Sequence, residues 1–171
     1  PLRRLVARYV SFSRLEDARI PIHVVATDAT TGLDVLLSHG DALDAVLASA
    51  AIPAVFPPVR VGDRDLMDGG VANNTPISHA MKLGATTLYV LPTGFPCALQ
   101  KPPETALGMA LHALALLFGQ RLSFDVERYE PQCELYVVPP PCPLDVKPAD
   151  FSRSSELISA AYASAKHWLA A

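Results

Sequence analysis

A layered α/β fold is what this sequence predicts, and three observations predict it. Half of the 171 residues are hydrophobic and 18% are charged, which is too apolar for a disordered chain and suits an interior covered by helices. Short β-branched runs alternate with stretches whose apolar residues recur at helical spacing. Residues 86–91, TTLYVL, form a near-continuous apolar run of strand length, as a strand covered on both faces would. This strand-helix-strand rhythm points to stacked layers, and the length fits one domain around a single core.

The elements follow in order. IPIHVVATDATTGLDVLLSHG holds two β-branched-rich runs, 22–26 and 33–37, separated by the turn TDATTG, and these predict a strand pair. Asp41 is placed to cap the next helix, with Asp44 three residues on in the favourable field of the helix N-terminus. Leu43, Val46, Leu47, Ala50 and Ala51 have the spacing of one buried helical stripe, and Pro53 ends the helix. VFPPVRVGDRDLMDGG reads as two very short strands around Gly62 and Asp63, the second delivering Asp68 at its end. Thr75 and Pro76 have the form of an N-cap and first helical residue, and Gly84 stands where a helix terminator belongs.

After a Pro-rich connection at 92–104, Leu107, Leu111, Leu114, Phe118 and Leu122 predict a long helix whose apolar face is read as packing into the core. A strand, ELYVVP, and a proline-dense loop, PPPCPLDVKPAD, lead to a last helix starting near Asp150 or Ser152. Its inner stripe is Leu157, Ile158, Ala161, Tyr162, Ala165 and Leu169.

Composition narrows the partners. The net charge of -3, from 14 basic and 17 acidic residues, offers no concentrated basic surface, so nucleic acid is not an expected partner. Cys97, Cys133 and Cys142 lack zinc-site spacing and are read as free thiols in a reducing cytosol. The apolar stretch 106–118 is shorter than the ~20 residues that span a bilayer, and no signal-peptide pattern is visible. A cytoplasmic protein is therefore expected.

DLMDGGVANNTP, residues 65–76, is the stretch most suited to chemistry. A carboxylate acting as a base needs the end of a strand, a cleft and no bulky neighbour. Asp68 meets that description, and Gly69 and Gly70 permit positive φ angles and close approach of other main chain. Asn73 and Asn74 can fix the turn through side-chain to backbone bonds. Read on its own, Asp-Gly-Gly is equally a common structural turn. Asp28 in TDATTG suits an Asx-type turn, and Asp65, an odd number of residues from Asp68, belongs to the opposite strand face. Ser49 reads as a small helix-packing residue. In Ser38-His39 and Ser78-His79 the adjacent side chains diverge, and His23, His112 and His167 have no companion at metal-ligand spacing.

ASAAIPAVFPPV followed by a short hairpin and LMDGGVANNTPISHAMKLGA resembles the C-terminal half of the patatin-like phospholipase domain. PIHVVATDATTG upstream and FSRSSELISAAYASAKHWL at the end also look like its bacterial members. The resemblance implies a three-layer α/β/α fold with a mainly parallel central sheet. It further implies an acyl hydrolase with a Ser-Asp dyad, in which Asp68 is the catalytic base and Gly69, Gly70, Asn73 and Asn74 shape the site. A lipid or other ester would be the substrate, with peripheral contact to a membrane, and no metal or organic cofactor is implied.

The departure from the family pattern is the nucleophile. No Gly-x-Ser-x-Gly elbow occurs in these residues, and the nine glycines include one adjacent pair, Gly69-Gly70. Residues 1–171 are accordingly expected to be the C-terminal part of one such domain, its nucleophile-bearing half absent. Taken alone, such a fragment is expected to be inactive and to self-associate or pair with the missing half, because a divided sheet exposes strand edges. The rival reading is a non-catalytic binding or scaffold domain that keeps the fold without the nucleophile.

Overall fold

Asp28 turns the chain back on itself and so decides the pairing of the first sheet. Its Oδ1 accepts the backbone N–H groups of Thr30 and Thr31, both at 2.9 Å. Gly32 completes the reversal in the left-handed region, at φ +73°. In the computed structural model, which describes residues 2–92, 101–142 and 151–170, this turn joins β1 (Val24–Asp28) to β2 (Asp34–Leu37) in antiparallel register, Thr27 opposite Asp34. The TDATTG turn thus does what its residues predict.

The chain divides into two compact units, Pro1–His79 and Ala80–Ala171, and both mix helix with strand as the α/β class requires. The first holds α1 (Leu2–Tyr9), a single helical turn at Leu15–Asp17, then β1 and β2, α2 (Ala42–Ser49), β3 (Val59–Val61), β4 (Arg64–Asp68) and α3 (Gly70–Asn73). α4 (Ile77–Lys82) follows across the division. The sheet order is β2-β1-β4-β3 with every pair antiparallel. A short connection imposes this on the outer pair: β3 and β4 are joined by Gly62-Asp63, with Gly62 at φ +63°, and a link so short can only reverse the strand.

β1 is a central strand, and its residues 25–28 are all buried. Ala26, Val35, Ala48 and Leu66 make its core, with Leu37, Val59 and Val61 packed against them. A second cluster joins Leu15 to Ala42 and Ala45. Asp41 caps α2 as expected, its carboxylate accepting the Asp44 N–H at 2.8 Å. Asp44 in turn holds Arg3 of α1 in an ion pair. The buried face of α2 is Ala42, Ala45, Leu47 and Ala48; of the predicted stripe Leu47 and Ala51 are buried, while Leu43, Val46 and Ala50 stay partly exposed. The three alanines of this face let the helix lie close to the sheet. The helix stops at Ser49, four residues before Pro53, whose ring has no N–H to give the Ser49 carbonyl and would clash with it in a continued helix.

The second unit contains β5 (Thr87–Val90), α5 (Ala106–Tyr129), β6 (Glu134–Val137) and α6 (Ser154–Leu169). β5 and β6 pair in parallel, Thr87 opposite Glu134 and Val90 opposite Val137. α5 lies in the crossover that a parallel pair needs. Thr105 caps α5 by accepting the Gly108 N–H at 3.0 Å. Tyr89 and Tyr136, opposite each other in the ladder, stack at 5.0 Å, and Trp168 of α6 meets Tyr136 edge-on.

Three expectations need correction here. β5 is not covered on both faces: Val90 is buried while Tyr89 is 57% exposed. α5 buries only Leu122 and Asp125, and Leu107 of its predicted core stripe is 61% exposed. α6 buries none of its residues, leaving Ile158, Tyr162 and Leu169 exposed, and it starts at Ser154; Asp150 lies outside the described residues. Periodicity fixes which residues share a helix face, but only a neighbouring surface buries them. By length and composition Ala106–Gln132 also suffices to cross a bilayer, a longer run than 106–118, though core helices of soluble proteins share that signature.

The thiols differ as well. Cys133 is free, but Cys142 is disulfide-bonded, so the reading of free thiols fails at Cys142; Cys97 lies outside the described residues.

Replacing Asp41 with Ala removes the α2 cap and should lower the stability of the first unit by about 1 kcal/mol. Faster amide exchange at Asp44, with a lower urea midpoint, would register the loss.

Candidate functional site

Asp68 ends β4 with both of its backbone groups occupied. Its N–H donates to the Ala51 carbonyl at 3.0 Å, tying the strand to the chain two residues beyond α2. Its carbonyl accepts the Thr27 hydroxyl at 2.8 Å across the β1–β4 pairing. The chain then enters α3 without a loop. The Gly70 N–H, in the first turn of that helix, donates to Asp68 Oδ1 at 2.7 Å. Oδ2 accepts no hydrogen bond among the described residues.

Half-burial pushes the Asp68 carboxyl above the usual carboxylate range, and the bond from Gly70 N–H opposes that rise without cancelling it. The outcome is an anion with one oxygen held, one oxygen open, and a raised appetite for a proton. Such a group suits a general base.

The two glycines act differently from expectation. Neither has a positive φ; Gly69 is helical at φ -63°. Close approach is the reason that holds: a Cβ on Gly69 would lie 2.2 Å from the Val25 carbonyl oxygen. Gly70 is buried and contributes its N–H.

Asn73 does not fix the turn through backbone. Its side chain is buried, and Nδ2 donates to Asp34 Oδ2 at 2.8 Å and to Ser78 Oγ at 3.1 Å. His79 Nε2 meets the same Asp34 oxygen at 2.8 Å. Asp34 on β2 thereby gathers the end of α3 and the start of α4. Asn73, then His79, holds its carboxyl below the usual range. Asn73 Oδ1 is buried without a partner. Asn74 is exposed, and its side chain makes no hydrogen bond among the described residues.

Other candidates take structural places. Asp28 serves its turn, and Asp65 pairs with Arg60 at 3.0 Å on the exposed side of the hairpin. Ser78 and His79 do not pair with each other; both join the Asp34 network. The contact that adjacency reasoning missed is His23 Nδ1 to Ser38 Oγ, 2.8 Å apart beside a cleft of about 190 Å³ lined also by Leu15 and Pro21. The antiparallel register, Val24 opposite Leu37, is the signal that brings these flanking residues together. No carboxylate orients His23 among the described residues, so the pair lacks a third member. Among those residues, too, no group of three His, Cys, Asp or Glu side chains is placed to hold a metal ion.

The sequence likeness can now be set against this geometry. Residues 1–81 match the model of the patatin-like phospholipase family. The match takes in Asp68 and the whole sheet that positions it, and leaves the resemblance drawn at 151–169 outside. Three similar proteins agree with it. An uncharacterized NTE family protein of Mycobacterium bovis is 36% identical over 73 residues, 43% of this chain and 12% of that protein. A second from the same organism is 39% identical over 64 residues, 37% of this chain and 18% of its own length. Lysophospholipase NTE1 of Saccharomyces cerevisiae is 27% identical over 82 residues, 48% of this chain and 5% of its own. The chain thus spans less than a fifth of each of these relatives, and its likeness is to the patatin-like phospholipase family model and to NTE family proteins.

Two outcomes follow. Asp68→Asn should stabilise the fold at neutral pH, because a carboxyl raised above its unfolded value of 3.8 penalises the folded state once ionised. The penalty grows as pH climbs from the unfolded to the folded value and vanishes below both. Denaturation midpoints of the two proteins should therefore converge in acid. Gly69→Ala should cost about 1–3 kcal/mol or more, since a backbone carbonyl stands where the methyl must go; a thermal melt like that of the wild type would contradict the close approach.

Proposed function

We propose that the protein carrying this chain is a patatin-like serine acyl hydrolase acting on a lipid or other carboxylic ester. Asp68 is its general base, and the serine nucleophile is supplied by sequence outside these 171 residues. The observation that carries the proposal is the carboxylate itself: half-buried, anchored through one oxygen to Gly70 N–H, with the other oxygen open. The patatin-like match over residues 1–81 supports the reaction class.

The chemistry this geometry supports is direct. The incoming serine hydroxyl gives its proton to Asp68 Oδ2 as its oxygen bonds to the ester carbonyl carbon, and negative charge gathers on the carbonyl oxygen. Collapse of that tetrahedral species breaks the ester bond, and the leaving alkoxide takes the proton from Asp68. Water then repeats the sequence on the acyl-serine, losing its proton to the same carboxylate and releasing the acid. A carboxylate base gains from a pKa raised toward working pH, and burial supplies that rise here. The task usually given to histidine falls to the aspartate, so its position relative to the serine must be tight.

In the full-length protein, Asp68→Asn should reduce kcat for a p-nitrophenyl ester by roughly 10³-fold or more, with the far-ultraviolet circular dichroism unchanged. Turnover at the wild-type level in that variant would sink the dyad assignment. A fluorophosphonate probe should label a serine that is not among residues 1–171, and labelling of Ser38, beside His23, would transfer the activity to the other cleft.

A further inference from the structure

The inner end of α3 poses a problem that its own sequence does not solve. A helix leaves its first N–H groups without partners, and an acidic residue just before it ordinarily accepts them. Asp68 stands one residue before the cap position, Gly69. A carboxylate that took all the available donors would have no oxygen left for a substrate proton.

The donors are instead divided between two side chains. Gly70 N–H goes to Asp68 Oδ1 at 2.7 Å, and Ala72 N–H goes to Thr27 Oγ1 at 3.2 Å. Thr27 comes from β1, not from the helix or its cap, and is completely buried. The same hydroxyl sends its own proton to the Asp68 carbonyl at 2.8 Å. One buried oxygen therefore takes the helix donor that would otherwise compete for the carboxylate, and holds the Asp68 backbone against the sheet. Gly69 lets this happen, because a side chain there would collide with the Val25 carbonyl and push α3 away from β1.

We infer that Thr27 is a positioning residue for Asp68, whose hydroxyl caps α3 from the neighbouring strand and so leaves Asp68 Oδ2 open to the reacting serine. The inference rests on the reading of Asp68 as the base. It adds a residue in the TDATTG region that the Asx turn at Asp28 does not explain.

Thr27→Val keeps the shape and removes the hydroxyl. Ala72 N–H then loses its acceptor, and the expected compensation is a second bond to the Asp68 carboxylate, which already accepts from Gly70 in the same helical turn. A carboxylate with more donors holds its proton less well. In the full-length protein kcat should fall roughly 10- to 100-fold with KM nearly unchanged, and the acid limb of the kcat/KM profile should move to lower pH. Thr27→Ser, which restores the hydroxyl, should recover both. If valine prevents folding, Thr27→Ala carries the same expectation, and a carbon-13 titration of the Asp68 carboxyl reads the effect without substrate.

The two readings fail separately. Wild-type turnover in Asp68→Asn would remove the hydrolase reading. With Asp68→Asn inactive, a folded Thr27→Val or Thr27→Ala with wild-type kcat and an unmoved acid limb would overturn the role of Thr27. A lower melting temperature with unchanged kinetics would also overturn it, by showing the hydroxyl to be structural only.

Discussion

Everything at the candidate site depends on how closely the chain at Gly69 passes the carbonyl of Val25. With 2.2 Å between that oxygen and the place of a Cβ, only glycine allows β4 to run straight from its pairing with β1 into α3. The approach brings the first turn of the helix against the buried Thr27, and sets the Gly70 N–H on the Asp68 carboxylate. A looser passage would separate the aspartate from the sheet and from its hydrogen-bond donors together. The central strand is well suited to anchor such a contact, because its neighbours on both sides hold it in register.

Three aspartates on this one sheet show how environment assigns roles to a single side-chain type. Asp28 accepts two backbone N–H groups at a turn, which hold its carboxyl below the usual range. Asp34 accepts from Asn73 and stands against His79, with the same direction of shift. Asp68 accepts a single N–H, too little to offset its half-burial, and its carboxyl moves upward. Donors favour the anion and burial disfavours it, so the balance between them separates two structural carboxylates from one with a reason to take a proton.

The second unit is organised around an aromatic contact more than around a buried core. Tyr89, Tyr136 and Trp168 join the parallel strand pair to α6, while apolar side chains such as Leu117, Phe124 and Ile158 remain exposed. Leucines at helical spacing were legible as a helix, but the surface they meet is not encoded in their spacing.

The sequence by itself determined the local structure: the Asx turn at Asp28, the cap at Asp41, the hairpin at Gly62 and the delivery of Asp68 at a strand end. Each follows from the chemistry of one or two residues within a few positions of each other, so no distant contact can easily override it. The buried face of α2 was partly misread because alanine spacing is ambiguous until the sheet beneath is known. Asn73 was read as a turn residue because its partner, Asp34, lies 39 positions away. Only the tertiary structure could decide that Thr27 and Asp68, 41 residues apart, share a hydrogen bond. Strand register creates that pairing, and a hydroxyl buried between two elements carries no mark of its partners in its own neighbourhood.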